Sequence, residues 1–298
     1  MKQQKPVRKK SIIRHLNHQE INKYLKHTYL GIHSTHLKRN VNIDIFRPAK
    51  NRNETSVLFL NDGQDARQLK LQQILTNRYK DRNKTAITAI GIHAGDRIQE
   101  YGVAHIPDYK NRGSKAASYE LFLISELIPI LTNECGISFK QETTAIAGFS
   151  LGGLSALDLV WRNPNLFSMA GVFSGSLWWR RKGLCEGYED HDRIIHEVIG
   201  KGPAKPGLSF WFEAGTNDET ADRNNNGIID AIDDTLDLIE VFKSLGYSDD
   251  EVAYYEIEGG EHNFHTWSNA FPLFLAWAFD RPATSTPSRS GNHVKAAD

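Results

Sequence analysis

Three polar residues that lie far apart in the sequence have the types and the chain order that acyl chemistry on a serine needs. Ser150 is the central residue of GFSLG at positions 148–152, which follows a short apolar run and precedes a helical pattern. Asp218 and His262 come later in the chain. A serine nucleophile requires an imidazole base and an acid that orients the base. The set therefore predicts attack of the Ser150 hydroxyl on an acyl carbon.

The turn around Ser150 also predicts how a negative charge on the substrate would be stabilised. A strand, a sharp turn and a helix strain the serine backbone, and the flanking glycines make room for it. The N–H of Leu151 would lie at the helix N-terminus, where a developing oxyanion is favoured. A second donor should follow the strand at 56–60, and we assign it to the main-chain N–H of Gln64, with Gly63 letting the backbone approach. The alternatives are a glycine-rich turn with an idle serine and a simple Asp-Gly turn.

The candidate base and acid both have neighbours of similar chemistry. His262 lies in GGEHNFH at 259–265, after a predicted strand, and the two glycines allow the loop to turn back toward the serine. His265 is its rival in the same loop. Asp218 follows the predicted strand before that one, where the orienting acid is expected. Glu219 and Asp222 lie close enough to compete with it.

A second motif, DRNNNGIIDAID at 222–233, matches a calcium-binding loop. It has oxygen-bearing side chains at positions 1, 3, 5, 9 and 12, glycine at position 6 and an apolar residue at position 8. The last ligand is an aspartate instead of the usual glutamate, as in the loops of dockerin modules. The predicted ligands are Asp222, Asn224, Asn226, Ile228, Asp230 and Asp233.

The charge around this motif favours a bound cation. Nine acidic residues lie between Glu213 and Glu240, and Arg223 is the one basic residue among them. Such crowding repels itself unless a cation compensates. We expect a structural Ca²⁺ that braces the loop presenting Asp218 and takes no part in the chemistry. The alternative is a solvated turn that caps a helix. A dockerin-type adaptor would need two tandem loops, and one occurs.

The remaining chain alternates predicted strands and helices, which indicates an α/β fold with a mostly parallel sheet covered by helices on both faces. Residues 1–27 are polar and are expected to be a helical or loose N-terminal extension. Residues 28–280 would form the catalytic domain, and the Pro/Ser/Thr-rich residues 281–298 a disordered tail. The predicted strands are 28–36, 39–46, 56–60, 85–90, one ending before Ser150, 167–173, 208–214 and 252–257. The main predicted helices include 191–199, 231–245 and 264–279.

Composition excludes several classes of protein. The 298 residues are 40% hydrophobic and 24% charged, with a net charge of +0, so nothing indicates binding to nucleic acid or to an anionic membrane. Two cysteines, Cys135 and Cys185, are expected to be reduced thiols. We find no secretory signal and no apolar run long enough to span a bilayer. A cytoplasmic location is expected.

The chain resembles the putative-esterase family of α/β-hydrolases, which includes esterase D, enterochelin esterase, mycolyltransferases and feruloyl esterases. The resemblance covers about residues 28–280. It rests on DGQ at 62–64, Arg97 with EY at 100–101, ELIP at 126–129, GFSLGG at 148–153, FSGSLWW at 173–179 and GEH at 260–262. It implies an α/β-hydrolase fold, with Ser150 as nucleophile, His262 as base and the Leu151 N–H as oxyanion donor.

The resemblance leaves other positions open. The acid varies across the family, so it does not fix Asp218. The DGQ loop is closer to the enterochelin-esterase branch than to esterase D, which has a His-Gly loop, and the calcium-like insertion is not a general family feature. Arg97, Trp178 and Trp179 look like walls of a substrate pocket, with core packing as the alternative.

Together these features predict a serine carboxylic-ester hydrolase that acts through an acyl-enzyme on a small-molecule ester and needs no cofactor for its chemistry. The alternatives are an acyltransferase on the same residues, as in mycolyltransferases, and a non-catalytic ligand-binding homologue. A siderophore lactone, a sugar acetate, a feruloyl ester and a simple acyl ester all fit the sequence, which does not indicate an oligomeric state.

Overall fold

The computed structural model describes residues 13–50 and 55–280. The tail predicted at 281–298 and the first twelve residues of the predicted extension lie outside the described residues. Nine strands of the described chain join one sheet. They are β1 (Ile13–Asn22), β2 (Leu25–Ser34), β3 (Arg39–Pro48), β4 (Thr55–Asn61), β5 (Ala86–Ile92), β6 (Thr144–Phe149), β7 (Met169–Phe173), β8 (Ser209–Asn217) and β9 (Val252–Glu261).

The sheet is mostly parallel, as predicted. Its strand order is β1-β2-β3-β5-β4-β6-β7-β8-β9. The pairs β1–β2, β2–β3 and β3–β5 are antiparallel, and the pairs from β5–β4 to β8–β9 are parallel. The carboxyl ends of the parallel strands therefore meet at one edge, which is where open α/β sheets bind ligands.

Helices connect the parallel strands. They are α1 (Leu71–Lys80), α2 (Arg97–Glu100), α3 (Ala116–Phe122), α4 (Ile128–Asn133), α5 (Leu151–Arg162), α6 (Ile194–Gly200), α7 (Asp230–Ser244) and α8 (Phe264–Phe279). A π-helical turn at Leu123–Leu127 joins α3 to α4. Among the helices of the described residues, none is both long and apolar enough to cross a membrane.

Side chains of the central strands alternate between two hydrophobic layers, because successive residues of a strand point to opposite faces. Phe59 of β4 packs into the layer formed with α3, α5, α6 and α7. Its neighbours Leu58 and Leu60 pack into the layer formed with α1 and α8. Every residue of β5 and of β6 is buried. Strands covered on both faces are continuous apolar runs, and this is why the sequence predicted them well.

The N-terminal part of the described chain differs from the expectation. Residues 13–22 form β1 and residues 25–27 begin β2, so they are strand where a helical or loose segment was expected. The predicted domain start at residue 28 thus falls inside β2. The physical reason is that β1 lies at the edge of the sheet and pairs on one side alone. An edge strand of this kind needs no continuous apolar run, so its polar sequence concealed it.

Candidate active site

Ser150 occupies a strained turn between β6 and α5. Its backbone has φ 53° and ψ −120°, a conformation that is costly for any residue with a side chain. Two main-chain hydrogen bonds hold the turn in place. The Ser150 N–H donates to the Phe173 carbonyl at 2.8 Å, and the Ser150 carbonyl accepts from the Ser176 N–H at 3.1 Å. The neighbouring strand β7 and the loop after it therefore impose the conformation that presents the hydroxyl.

The glycines on either side of the serine are required by close contacts with neighbouring segments. A Cβ at Gly148 would lie 2.3 Å from the Gly152 carbonyl oxygen. A Cβ at Gly152 would lie 2.8 Å from Asp62 Oδ2, in the turn that follows β4. Helix α5 can thus begin directly over the end of β6, with its N-terminus against the neighbouring turn.

The two predicted oxyanion donors lie at the ends of neighbouring strands. Leu151 is the first residue of α5, and the first N–H groups of a helix have no acceptor within it. Gln64 lies in the short 3₁₀ turn Gly63–Asp65 that directly follows β4, which pairs with β6. A Cβ at Gly63 would lie 2.4 Å from the Gly91 carbonyl carbon, so glycine is needed where this turn packs on β5.

Arg97 ties the Gln64 turn to the serine turn. Its Nε donates to Asp62 Oδ1 at 2.9 Å and its Nη2 donates to the Phe149 carbonyl at 3.0 Å. The guanidinium also stacks over the Tyr101 ring at 5.5 Å, and the Tyr101 hydroxyl accepts the Asp62 N–H at 2.9 Å. Burial raises the pKa of Asp62, and Arg97 opposes that shift. Arg97 was predicted as a pocket wall; these contacts add a positioning role, while 38% of its side chain stays exposed.

His262 lies directly after β9, on the same edge of the sheet. Its ring packs edge-on against Trp267 at 5.1 Å, and Trp267 stacks on Phe149 at 5.0 Å. Burial lowers the pKa of His262, the Asp218 carboxylate opposes that change, and the Arg97 charge adds to it. The imidazole is therefore close enough to both groups to sense their charges. Its rival His265 lies in the first turn of α8, where the main-chain N–H of His265 donates to Asn263 Oδ1 at 3.0 Å.

The imidazole and the serine hydroxyl are not hydrogen-bonded to each other within the described chain. The hydrogen bond recorded for Ser150 Oγ is with Ser176 Oγ, at 3.2 Å. Contacts of this kind are often long or misaligned without substrate and shorten in the substrate complex. The structure thus brings Ser150 and His262 to one edge of the sheet without joining them.

Asp218 follows β8 and has one carboxylate oxygen available. Its Oδ2 accepts the Gly215 N–H at 3.1 Å, whereas its buried Oδ1 has no hydrogen-bond partner in the described part of the chain. Burial raises the pKa of Asp218, and the Ser174 hydroxyl, the Gly215 N–H and the His262 charge oppose the shift. An unpartnered oxygen beside an imidazole is the arrangement that an orienting acid needs.

The two rival acids have neighbours in the 222–233 segment. Burial raises the pKa of Glu219, the nearby charge of Asp230 raises it further, and the Ala231 main-chain N–H opposes the shift. The Asp222 carboxylate accepts the main-chain N–H groups of Asn226 and Gly227 inside that loop.

Glu213 of β8 is a neighbour of the site that the sequence reasoning did not single out. Its side chain is 1% exposed, and Ser174 is the polar neighbour of its carboxyl group. Burial and the Asp218 charge raise its pKa to about 8. Its signal was present in the sequence, because Glu213 is the one charged residue in the apolar run at 210–214.

The two predicted tryptophan walls differ in exposure. Trp179 has 0% exposure, and a Cβ at Gly102 or at Gly113 would lie 2.9 Å from its ring. Core packing, the alternative, therefore describes Trp179, which has no surface to offer a ligand in this structure. Trp178 is half-buried, and the Arg112 guanidinium lies 4.9 Å from its ring centroid.

Four of the six predicted metal ligands converge in the 222–233 loop. The Asp233 carboxylate accepts side-chain N–H groups from Asn224 at 2.9 Å and from Asn226 at 3.1 Å. Asp222 accepts main-chain N–H groups of the same loop, as described above. The Ile228 N–H donates to Asn226 Oδ1 at 2.8 Å. No group of three or more His, Cys, Asp or Glu side chains arranged to hold a metal occurs in the described residues.

Asp230, the remaining predicted carboxylate ligand, and the charge balance of the loop differ from the expectation. Asp230 turns toward Arg223, whose main-chain N–H donates to Asp230 Oδ1 at 2.9 Å and whose Nη1 lies 3.2 Å from the same oxygen. Arg193, which precedes α6, contacts Asp234 at 2.6 Å and Asp237 at 2.7 Å. The positive charge of Arg193, which lies outside residues 213–240, thus balances part of the negative charge of this acidic segment.

Comparison with known proteins identifies the family. The family described as "Putative esterase" matches residues 34–278, which is more than half of the chain. The chain belongs to the putative esterase family. The predicted family and the predicted esterase class are thereby confirmed. A curated relative, the "Uncharacterized protein YbbA" of Bacillus subtilis (strain 168), is 21% identical over 229 residues, covering 75% of this chain and 85% of the relative.

Solved structures confirm the fold of this esterase. The enterobactin esterase of Shigella flexneri, crystallised in the presence of 2,3-di-hydroxy-N-benzoyl-glycine, superposes with a TM-score of 0.65 at 22% identity. The match covers 84% of this chain and 58% of that one, so our chain spans little more than half of the Shigella protein. An S-formylglutathione hydrolase from Agrobacterium tumefaciens superposes with a TM-score of 0.61 at 14% identity, covering 89% and 98% of the two chains.

Proposed function

We propose that this esterase is a serine carboxylic-ester hydrolase that works through an acyl-enzyme on Ser150. The observation that carries the proposal is the strained Ser150 turn at the sheet edge that His262 and Asp218 also reach. His262 takes the proton of Ser150 Oγ as the oxygen attacks the ester carbonyl carbon. The alcohol leaves with a proton from the imidazolium, and water, activated by the same imidazole, then releases the acid.

Main-chain groups stabilise the charge that develops on the carbonyl oxygen. The N–H groups of Leu151 and Gln64 are the proposed donors, because both lie in the first turn of a helical segment beside the serine. Arg97 fixes the distance between the two turns through its bonds to Asp62 and to the carbonyl before Ser150. A rigid frame matters here, since donors that need no reorganisation stabilise a transition state most effectively.

Asp218 orients the base in this proposal. Its free Oδ1 would accept the N–H of the His262 ring and leave the other ring nitrogen unprotonated toward the serine. The hydroxyl of Ser150 must turn away from Ser176 for its own hydrogen bond to His262 to form.

The substrate is proposed to be a small carboxylic ester. The structural relatives include an enterobactin esterase and an S-formylglutathione hydrolase, whose substrates differ, so they support the ester class and no single compound. The exposed part of Arg97 and the half-buried Trp178 are the proposed contact surfaces. An acyltransferase is the second candidate, since the same acyl-enzyme can pass to an alcohol. Product analysis with an added alcohol separates the two.

Hydrolysis of p-nitrophenyl acetate tests the proposal. Ser150→Ala should abolish turnover while circular dichroism and the melting temperature stay those of the wild type. Ser125→Ala, an exposed serine in the turn between α3 and α4, is the matched control and should retain full activity. Full activity in Ser150→Ala would overturn the assignment.

We also propose that the 222–233 loop binds a structural Ca²⁺. The donor set fits, because carboxylate and amide groups of Asp222, Asn224, Asn226 and Asp233 face one another. Both asparagines direct their N–H groups at Asp233 and their oxygens at main-chain N–H groups of the loop, so the loop would have to reorient these amides to direct oxygens at a cation. The cation would hold the loop between Asp218 and α7 and would not touch the substrate.

A further inference from the structure

Three aromatic rings surround the Arg180 guanidinium, and the guanidiniums of Arg112 and Arg223 lie over some of the same rings. We call the three rings and Arg180 the Arg180 cluster; it consists of Tyr109, Trp178, Tyr188 and Arg180. The Arg180 guanidinium carbon lies 5.3 Å from the Tyr109 centroid, 5.8 Å from that of Trp178 and 5.6 Å from that of Tyr188. All three distances are within the range of cation–π attraction, so the rings hold the charge in one place.

Arg180 has no carboxylate partner in the described residues, although its basic neighbours do. Arg112 donates to Asp108 through Nε at 2.7 Å, and Arg181 donates to Glu197 at 2.7 Å. For Arg180, the recorded hydrogen bond is from Nη1 to the Trp178 carbonyl at 3.3 Å, and its buried Nε has no partner. A guanidinium carries five N–H donors and stays charged, so donors remain available at a fixed position.

The segment that carries Trp178 and Arg180 also contacts the serine turn. Ser176, whose hydroxyl contacts Ser150, is four residues before Arg180, and a fully extended chain of that length spans about 14 Å. Between them, Trp179 packs under Gly102 and Gly113, which bracket the loop that carries Tyr109. The Arg180 backbone therefore lies no more than about 14 Å from that of Ser176, a separation that a long-chain ester held at Ser150 could bridge.

We propose that Arg180 binds a carboxylate carried by the substrate at a distance from the ester group, so that this enzyme prefers anionic esters. Arginine binds carboxylates through two parallel N–H···O bonds, which gives geometric specificity as well as attraction. The aromatic rings fix the guanidinium before the substrate arrives, and this lowers the ordering cost of binding. The inference rests on the proposed hydrolysis at Ser150, and it adds the chemical class of the substrate.

Chain-matched esters test this inference directly. The probes are the mono-p-nitrophenyl esters of adipic and suberic acid, compared with the neutral p-nitrophenyl heptanoate and nonanoate. The wild type should hydrolyse the anionic esters with the lower KM. Arg180→Gln should raise KM for the anionic esters by roughly 10- to 100-fold and leave the neutral esters unchanged, because it removes a charged hydrogen-bonding partner. Arg180→Lys keeps a positive charge, so it should retain part of the preference for anionic esters that Arg180→Gln loses.

The matched control is Arg181→Gln, which removes the adjacent charge that is exposed and bonded to Glu197. It should leave both series unchanged. Equal losses of Arg180→Gln on anionic and neutral esters would overturn the inference, as would a wild-type preference for the neutral esters. If the enzyme hydrolysed neutral and anionic esters equally well and this activity depended on Ser150, the role of Arg180 would be refuted and the proposed function would stand. If no ester were hydrolysed, both the proposed function and the role of Arg180 would be refuted.

Discussion

Ser150 Oγ lies 3.2 Å from Ser176 Oγ, so a second hydroxyl holds the proposed nucleophile in this structure. Ser176 is 4% exposed, and its main-chain N–H is also bonded to the Ser150 carbonyl. The loop after β7 therefore contacts the serine through both main chain and side chain. In the proposed mechanism, the hydroxyl would leave this partner for His262 when substrate binds.

Ser176→Ala should have a limited effect on turnover. The change removes the hydroxyl contact and leaves the main-chain bond that supports the turn, so we expect kcat on p-nitrophenyl acetate to change by less than about tenfold, in line with one neutral hydrogen bond. Steady-state kinetics beside Ser150→Ala would measure it. If Ser176→Ala lost activity as completely as Ser150→Ala, Ser176 would be part of the catalytic set and the assignment of roles would be wrong.

The pH profile should show a base with a lowered pKa. Burial lowers the pKa of His262 below its ordinary 6.5. The base works when neutral, so kcat/KM should rise with pH through a midpoint below 6.5 and stay level at neutral pH. A midpoint clearly above 6.5 would contradict the burial of the imidazole.

Asp218→Asn tests the orienting acid. The Asp218 charge favours the protonated imidazole, so its removal should move the midpoint of the acid limb to still lower pH. We expect kcat to fall by roughly 10²- to 10⁴-fold, because the ring loses its fixed orientation. Glu219→Gln is the matched control and should keep the wild-type midpoint. Activity that survives Asp218→Asn and is lost in Glu219→Gln would transfer the role to Glu219.

Glu213→Gln should stabilise the protein at pH 8. The pKa of Glu213 is raised from 4.5 to about 8, so between those values the unfolded chain releases a proton that the folded chain keeps. The free energy of unfolding then falls as pH rises through that window, by up to about 1.4 kcal/mol per pH unit. The amide carries no proton to release, so the variant should melt higher than the wild type at pH 8 and nearly equally at pH 4.5. A variant that melts lower at pH 8 would show that the carboxyl is needed in its charged form.

Calcium should raise the melting temperature without changing the chemistry. A ligand at one hundred times its Kd adds about 2.7 kcal/mol to the free energy of unfolding, which is a shift of several degrees for a domain of this size. Asp233→Asn should lose the shift, whereas Asp249→Asn, an exposed carboxylate outside the loop, should keep it. Turnover far below the melting temperature should be the same with calcium and with chelator. Equal melting curves with and without calcium would refute the site.

The sequence predicted those helices, strands and turns that carry a local signal, such as a capping residue or a required glycine. Helix α8 matches its predicted bounds because the Asn263 side chain caps its first turn by accepting the main-chain N–H groups of His265 and Thr266. The Ser150 turn is encoded by Gly148 and Gly152, whose Cβ positions are blocked by the Gly152 carbonyl and by the Asp62 side chain respectively. Strand β1 was missed because edge strands carry a weak pattern, and its pairing with β2 supplies the order that its residues do not.

Contacts between distant segments were beyond local reasoning. Arg193 pairs with carboxylates of α7 that lie about forty residues later, so a count over a window could not include it. The bonds of Arg97 to the Asp62 and Phe149 turns likewise depend on three separate loops. Trp178 and Trp179 are adjacent and alike in sequence, yet the packing of Gly102 and Gly113 buries one of them. The residue types at these positions are visible in the sequence, whereas their contacts and burial depend on tertiary packing.

Covalent labelling tests the central claim most directly. A fluorophosphonate reacts with a serine only when that hydroxyl is activated by a neighbouring base. Intact-mass and peptide measurements should show one adduct, on Ser150, in the wild type, none in Ser150→Ala, and strongly slowed labelling in His262→Ala. A wild-type protein that stays unlabelled, or that carries the adduct on another serine, would contradict the account.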